Sequence, residues 1–311
     1  NKIIVGFLLS GLIPCMILSV FVYQQTKESL LEEAQKKLIS VREVRAFQLE
    51  SLYETMAGQV KALAANKVTL NATTEFIKGF SRFQLDGSKK EEKITSLKKY
   101  YDEQFSQSYQ KSNNEKETNR TNEILDTMKP IAKDLQYTYI SNNEFPLGEK
   151  DKLYDVGNKT LYNDVHINYH DTYRKYLNTF GYYDIFLVST RGTVVYSVFK
   201  ELDFATNLLT GPYKGSGLAN AFKGALNKKE GEHFFTEINK YFPSYESPAQ
   251  FVSAPVYVDS KLYGVLVFQI PVAKINHIMT GNQKWKEQGQ GNSGETYIIG
   301  KDKSMKSLSR F

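Results

Sequence analysis

The 21 residues from Ile3 to Tyr23, IIVGFLLSGLIPCMILSVFVY, carry no charge, and the next charged residue is Lys27. An apolar run of about 20 residues is the length at which a helix crosses the hydrocarbon core of a bilayer. Pro14 would bend an isolated helix but is tolerated in membrane spans. A cleaved signal peptide would have a shorter apolar core, ending in a small-x-small site. Here the run ends in VFVYQQTKESL, so the sequence predicts an uncleaved anchor over residues 1–24, with the lipid bilayer as a partner. Lys2 on the short side points to a cytoplasmic N-terminus under the positive-inside rule. Because the first residue is Asn1 rather than Met, further sequence is expected upstream.

Beyond the anchor the pattern changes period. Leu31, Ala34, Leu38 and Val41 recur at three and four. Leu49, Leu52, Met56, Val60 and Leu63 resume the pattern with a slight phase shift, and no proline intervenes. This predicts one helix continuing out of the membrane for about 40 residues, or roughly 60 Å at 1.5 Å per residue. So narrow a stripe needs a partner. That partner is expected to be a second copy, giving a homodimer through the arm, or later helices of the same chain.

Ile94, Leu97, Tyr101 and Phe105 mark a short amphipathic segment. Ile124, Met128, Ile131, Leu135 and Tyr139 mark a longer helix with Pro130 as a kink. Between them, SQSYQKSNNEKETNRTN reads as a loop, and ISNNEFPLGEKDK breaks the chain again. A last helix carries Tyr162, Val165, Tyr169, Tyr173, Tyr176 and Phe180 on one stripe. Such a face buries rings while presenting hydroxyls to polar groups.

YDIFLVS and TVVYSVF flank the turn TRG as an antiparallel hairpin. Asp184 then lies inside a strand, where an unpaired carboxylate is costly. ELDFATNLLTGPYKGSGLANAFKGAL reads as a turn-rich loop entering a short helix; its glycines lack P-loop or dinucleotide spacing. EHFFTEINKYF, AQFVSAPVYVDS and KLYGVLVFQIPV supply three more strands, the last two joined at VDSK. Five strands with one inserted helix, preceded by a helical region, give α+β order.

Cys15 is the only cysteine, which excludes a disulfide framework or a cysteine nucleophile in the outer part. The net charge of +6 is spread through mixed-sign helices such as KKEEKITSLKKYYDEQ, which fit solvated faces and not a nucleic-acid footprint. His166 and His170 stand at i and i+4, as a metal pair would. No third ligand or zincin glutamate follows, so a structural or pocket-lining pair is read, with no metal and no cofactor. No nucleophile elbow or acid–base motif is present, so no enzyme activity is assigned to this chain.

Several pieces together resemble the extracytoplasmic sensing region of bacterial transmembrane receptors with double Cache (PAS-like) modules. They are LQYTYISNNEFPLGEKDKL, GYYDIFLVSTRGTVVYSVFKELDFATNL, GPY, SAPVY…GVLVFQIPVAKINHIM and GETYIIGKDKSMKSLSRF. Such regions occur in methyl-accepting chemotaxis proteins, sensor histidine kinases and nucleotide cyclases. The resemblance implies an anchor over 1–24, a helical arm and helical region over 25–180, and a membrane-distal Cache module over 181–280. Residues 281–311 would open a membrane-proximal module, supplying its first hairpin. The rest of that module, a second span and a cytoplasmic output domain would lie beyond Phe311. The bulk of the chain would be periplasmic or extracellular at the bacterial inner (cell) membrane.

Amino-acid-binding Cache domains show a Tyr…Arg…Trp-Tyr…Asp pattern. The distal module here has no Trp, and its last strand offers Gln269 where the final Asp would stand. The expected function is sensing of an unidentified small-molecule ligand, most simply in chemotaxis. The alternative is a membrane-anchored structural or protein-interaction module. The pocket is expected between the sheet and the tyrosine-bearing helix, lined by Tyr169, His170, Tyr173, Tyr183, Asp184, Tyr196, Ser253 and Gln269. Strand alternation means that some of these face away.

Overall fold

The structure is a computed structural model that describes residues 2–85 and 87–311. Asn1, which bore on the start of the chain, lies outside the described residues, and so does the side chain of Lys2, the orientation cue.

Helix α1 runs unbroken from Lys2 to Ala64, 63 residues. Its N-terminal part is apolar and long enough to cross a membrane, and none of it is covered by protein. Polar side chains there bond back to the helix itself, as Ser19 Oγ does to the Cys15 carbonyl at 2.7 Å. The charged arm that follows is mostly exposed, as at Leu31, Leu38 and Phe47. Arg45 reaches the Gln288 side chain, and from Leu49 onward the helix packs on the core; Met56, Val60 and Ala64 are buried. The two rods are therefore one continuous helix, as their patterns predict.

Asn66 caps α2 (Lys67–Ser81), its side chain accepting from the Val68 N–H at 2.8 Å. Helices α3 (Lys90–Lys99) and α4 (Ser106–Ser112) join through a π turn at Tyr100–Phe105. Part of the segment expected as loop is thus helical. Helices α5 (Arg120–Thr127) and α6 (Pro130–Gln136) replace the single kinked helix. Pro130 forces Lys129 into extended backbone, and Met128 is extended too, so the chain breaks and restarts with proline at its first turn. Helix α6 ends in a second π turn, Tyr137–Ser141.

Helix α7 (Leu161–Phe180) starts at Thr160, whose hydroxyl accepts from the Asn163 N–H. It stops at Gly181, held at φ +64°. Strands β1 (Asp184–Ser189) and β2 (Val194–Ser197) form the first hairpin, and α8 (Gly217–Leu226) follows. The segment expected as one strand splits into β3 (Phe234–Phe235) and β4 (Asn239–Tyr241), so the described strands number six rather than five. The long pair β5 (Ser247–Val258) and β6 (Lys261–Pro271) turns through Asp259 and Ser260, both at positive φ, the geometry of a two-residue hairpin. Helix α9 (Val272–Thr280) closes the sheet domain.

The sheet is antiparallel, in the order β2-β1-β6-β5-β3, with β4 also on β5. This is the PAS-like α+β arrangement, with the last hairpin central. Its two faces differ. Ile185, Leu187, Tyr196 and Phe268 point toward α1, α2 and α7. A Cβ on Gly264 would meet the Val188 carbonyl at 2.7 Å and Thr73 at 2.8 Å, so glycine lets α2 lie close on the strands. The opposite face carries Asp184, Gln269, Phe251 and Ser253, and α8 covers part of it. In residues 281–311 the expected opening hairpin amounts to one bridge, Ile299 to Met305, closed by Lys306 N–H on the Ile298 carbonyl.

Candidate functional site

The eight expected site residues do not form one group. Four sit on the α7 face. Tyr173 and Tyr196 are fully buried, their ring centroids 5.3 Å apart, and Tyr173 donates to Thr69 Oγ1 at 3.2 Å. His170 Nδ1 lies 2.7 Å from Tyr196 Oη, and its Nε2 lies 2.7 Å from the Asp151 carbonyl. Tyr169 is half-buried against Phe76. His166 stacks on His170 at 4.3 Å, as the i, i+4 spacing predicts. Burial and the nearby Lys200 ammonium push both imidazoles down, His170 to about 3. They are neutral packing elements among aromatic rings. Among the described residues no His/Cys/Asp/Glu group is placed to hold a metal ion. This face is filled by side chains whose polar tips mostly have partners.

The other four lie at the start of β1 or on the α8 face. Ser253 Oγ donates to the Ala221 carbonyl at 2.8 Å, fixing α8 to β5. Asp184 and Gln269 are cross-strand partners, both buried. Asp184 Oδ1 accepts from the N–H groups of Ile185, Val198 and Phe199 at 2.7, 2.9 and 3.1 Å. The strand carboxylate thus caps the turn after β2. Gln269 Nε2 donates to Ser244 Oγ at 3.0 Å, and Ser244 donates to Glu201 Oε2 at 3.1 Å. Tyr183 Oη donates to Glu201 Oε1 at 2.7 Å.

This chain of bonds leads to residues the sequence reading passed over. Glu201 and Asp203 come from the ELDF loop. Gln136, at the end of α6, pins that loop by donating to the carbonyls of Leu202 and Phe204 at 2.9 and 2.7 Å. The same side chain accepts from Tyr101 in the facing π turn at 2.8 Å. Tyr241 donates to Asp203. Three carboxyl groups therefore share one enclosed region. Burial raises all three above the usual carboxylate range, and their mutual repulsion adds to this for Asp184 and Glu201; Asp203 reaches about 6. The buried ammonium nearby, Lys200, spends its hydrogen bonds on the carbonyls of Ser197 and Val198 and lies 4.7 Å over the Tyr196 ring.

The region is short of donors. Among the described residues seven buried polar side-chain atoms lack a partner, and four are here: the acceptors Asp184 Oδ2, Asp203 Oδ1 and Gln269 Oε1, and the Tyr213 hydroxyl, which can donate to only one of them. Native interiors leave few such atoms. Tyr213 and Tyr241 also wall a cavity of about 260 Å³, whose lining includes Arg120 and Glu246, 3.6 Å apart. None of the eight expected residues lines that cavity or the other four described.

No family model and no curated protein sequence matches this chain. Among solved structures it is similar to the ligand-binding domain of the Pseudomonas fluorescens chemoreceptor CtaA, crystallised with L-serine. The identity is 12%, covering 42% of this chain and 50% of that one, at a TM-score of 0.30. The sensor domain of the V. cholerae histidine kinase DctB matches at 14%, over 55% and 57% of the two chains, with a TM-score of 0.30. The sensory domain of the Campylobacter jejuni chemoreceptor Tlp3 matches at 12%, over 84% and 74%, with a TM-score of 0.31. The chain thus spans between half and three fifths of the first two structures.

Proposed function

We propose that this chain is the ligand-sensing region of a membrane-anchored receptor, binding a small solute that carries an ammonium group. The observation that carries the reading is the concentration of unpartnered acceptors beside the buried carboxyls of Asp184 and Asp203 and the half-buried Glu201. An ammonium brings three donors and no acceptor. It would satisfy Asp184 Oδ2, Asp203 Oδ1 and Gln269 Oε1 together and return the carboxyls to their ionised form. The missing strand aspartate at Gln269 is then offset by carboxyls from the neighbouring strand and loop. A turn of the Tyr213 or Tyr241 ring would join the adjacent cavity to this cluster. The tyrosine-helix face is, in this reading, packing and not pocket.

Signal would pass through α1, which is a single helix from the apolar segment to the sheet. A ligand acts only through its different affinity for two arrangements of that helix. The fuller reading is a bacterial chemotaxis transducer, with the bulk of the chain periplasmic or extracellular and the output domain beyond this sequence.

The test is thermal unfolding of the full chain in nanodiscs with alanine, putrescine or succinate. The amines are expected to raise the melting temperature by about 2–4 °C at saturation, and succinate is not. Equal shifts with all three, or none, would remove the ammonium site.

The exposed seam of Leu31 and Leu38, 55% and 54% exposed, supports a parallel homodimer through the arm. Cysteines placed at these positions are expected to form disulfides between copies, and Leu38→Asp in the Leu31→Cys background should suppress them. Cross-linking that ignores the aspartate would argue against the seam.

A further inference from the structure

Three turns place three cations at the end of the sheet away from the apolar segment. Arg191 lies in the β1–β2 turn, Lys261 follows the β5–β6 turn, and Lys129 sits at the break between α5 and α6. All three line one groove of about 740 Å³. A second lobe of about 230 Å³ adjoins it, sharing Phe80, Lys129, Thr193, Asn207 and Thr210. Among the described residues no carboxylate lines either lobe. Among the described residues, none of the three cations has an ion-pair partner. Between them the larger lobe is apolar, with Ile77, Leu209 and Leu262, and the smaller is lined by Met128, Ile131 and Ala132.

A concave apolar surface of several hundred Å³ with a few convergent polar groups is the usual form of a small-molecule site. Three cations lining one groove give it a positive potential that favours an anion. We infer that this groove is a second ligand site, for a small organic anion with a carboxylate head and an aliphatic tail. The head sits among Lys129, Arg191 and Lys261, and the tail enters the lobe beside Met128 and Ile131. The source is a free solute rather than the chain's own bilayer, because the arm holds this end of the sheet roughly 60 Å above the membrane segment. The site is separate from the carboxyl cluster and does not rest on it.

Calorimetric titration of octanoate into the full chain in zwitterionic nanodiscs tests this. Octanoate is expected to bind, and binding should weaken as salt is raised. Octan-1-ol and acetate, each lacking one half of the ligand, should bind far more weakly. Arg191→Gln with Lys261→Gln should weaken octanoate at least about tenfold. Both side chains are exposed, so the melting temperature should hold, and Asp184→Asn should leave octanoate binding unchanged. No binding up to about 5 mM, octanol binding as tightly, or an unaffected double variant would each overturn the site. Vesicles of phosphatidylglycerol provide the remaining arm. Capture that depends on Arg191 and Lys261 would make a lipid the anion and overturn the free-solute assignment.

Discussion

Alanine in place of Asp184 is expected to cost about 2–4 kcal/mol of folding stability at pH 7, while asparagine is expected to stabilise the unliganded chain at alkaline pH. Asp184 Oδ1 accepts from three buried backbone N–H groups, and alanine removes that acceptor outright. Val198 keeps a second bond, to the Ile185 carbonyl at 3.1 Å; the other two bonds carry the loss. Asparagine keeps an oxygen in the same place and removes the charge.

The pH dependence has a definite sign. Burial, then Asp203, raises the folded-state pKa of Asp184 above its ordinary value of 3.8. A raised carboxyl contributes stability that is complete below the unfolded pKa and is lost as pH climbs through the folded one. For Asp203, raised by burial from 3.8 to about 6, that loss falls between about pH 4 and 6 and amounts to roughly 3 kcal/mol. Asp184→Asn and Asp203→Asn should therefore each flatten the fall in urea midpoint between pH 4 and 9. A pair of variants that follow the unmodified chain across that range would show that neither carboxyl is buried in charged form. A bound ammonium opposes the same loss, so ligand stabilisation should grow with pH.

Phe76→Ala is expected to cost about 3–5 kcal/mol, the range for removing a buried aromatic ring. Phe76 lies fully buried on α2, its ring 4.6 Å from Tyr196 on the sheet and 5.5 Å from Tyr162 on α7. It is the common neighbour of three elements and has no polar atom of its own. Its loss therefore reads packing alone. Leucine should recover much of the loss by filling part of the space. Equilibrium urea unfolding decides it, and a cost below about 1 kcal/mol would mean that α2 and α7 do not close over the sheet as described.

The sheet was legible because its signals are local. Runs such as DIFLVS and GVLVFQI favour extended backbone through β-branched and aromatic side chains, whatever lies around them. The β3–β4 break was not, because two and three residues of pairing depend on β5 rather than on their own sequence. At Pro130 the chain had two outcomes, kink or break, and the extended Met128 and Lys129 chose the second. The site was legible only in part. Asp184 and Gln269 stood out as polar residues inside strands. Glu201 and Asp203 look like ordinary loop acids until Gln136, 66 residues before Leu202 and 68 before Phe204, folds that loop inward.

From sequence alone came the membrane-length helix, its unbroken continuation, the α+β order and both long hairpins. Each follows from periodicity and backbone preference, which act between near neighbours. Which face of the sheet is solid and which is short of hydrogen-bond donors was decided by tertiary structure. Burial is a property of what packs against a side chain, and a carboxyl's charge cost exists only once water has been excluded from it.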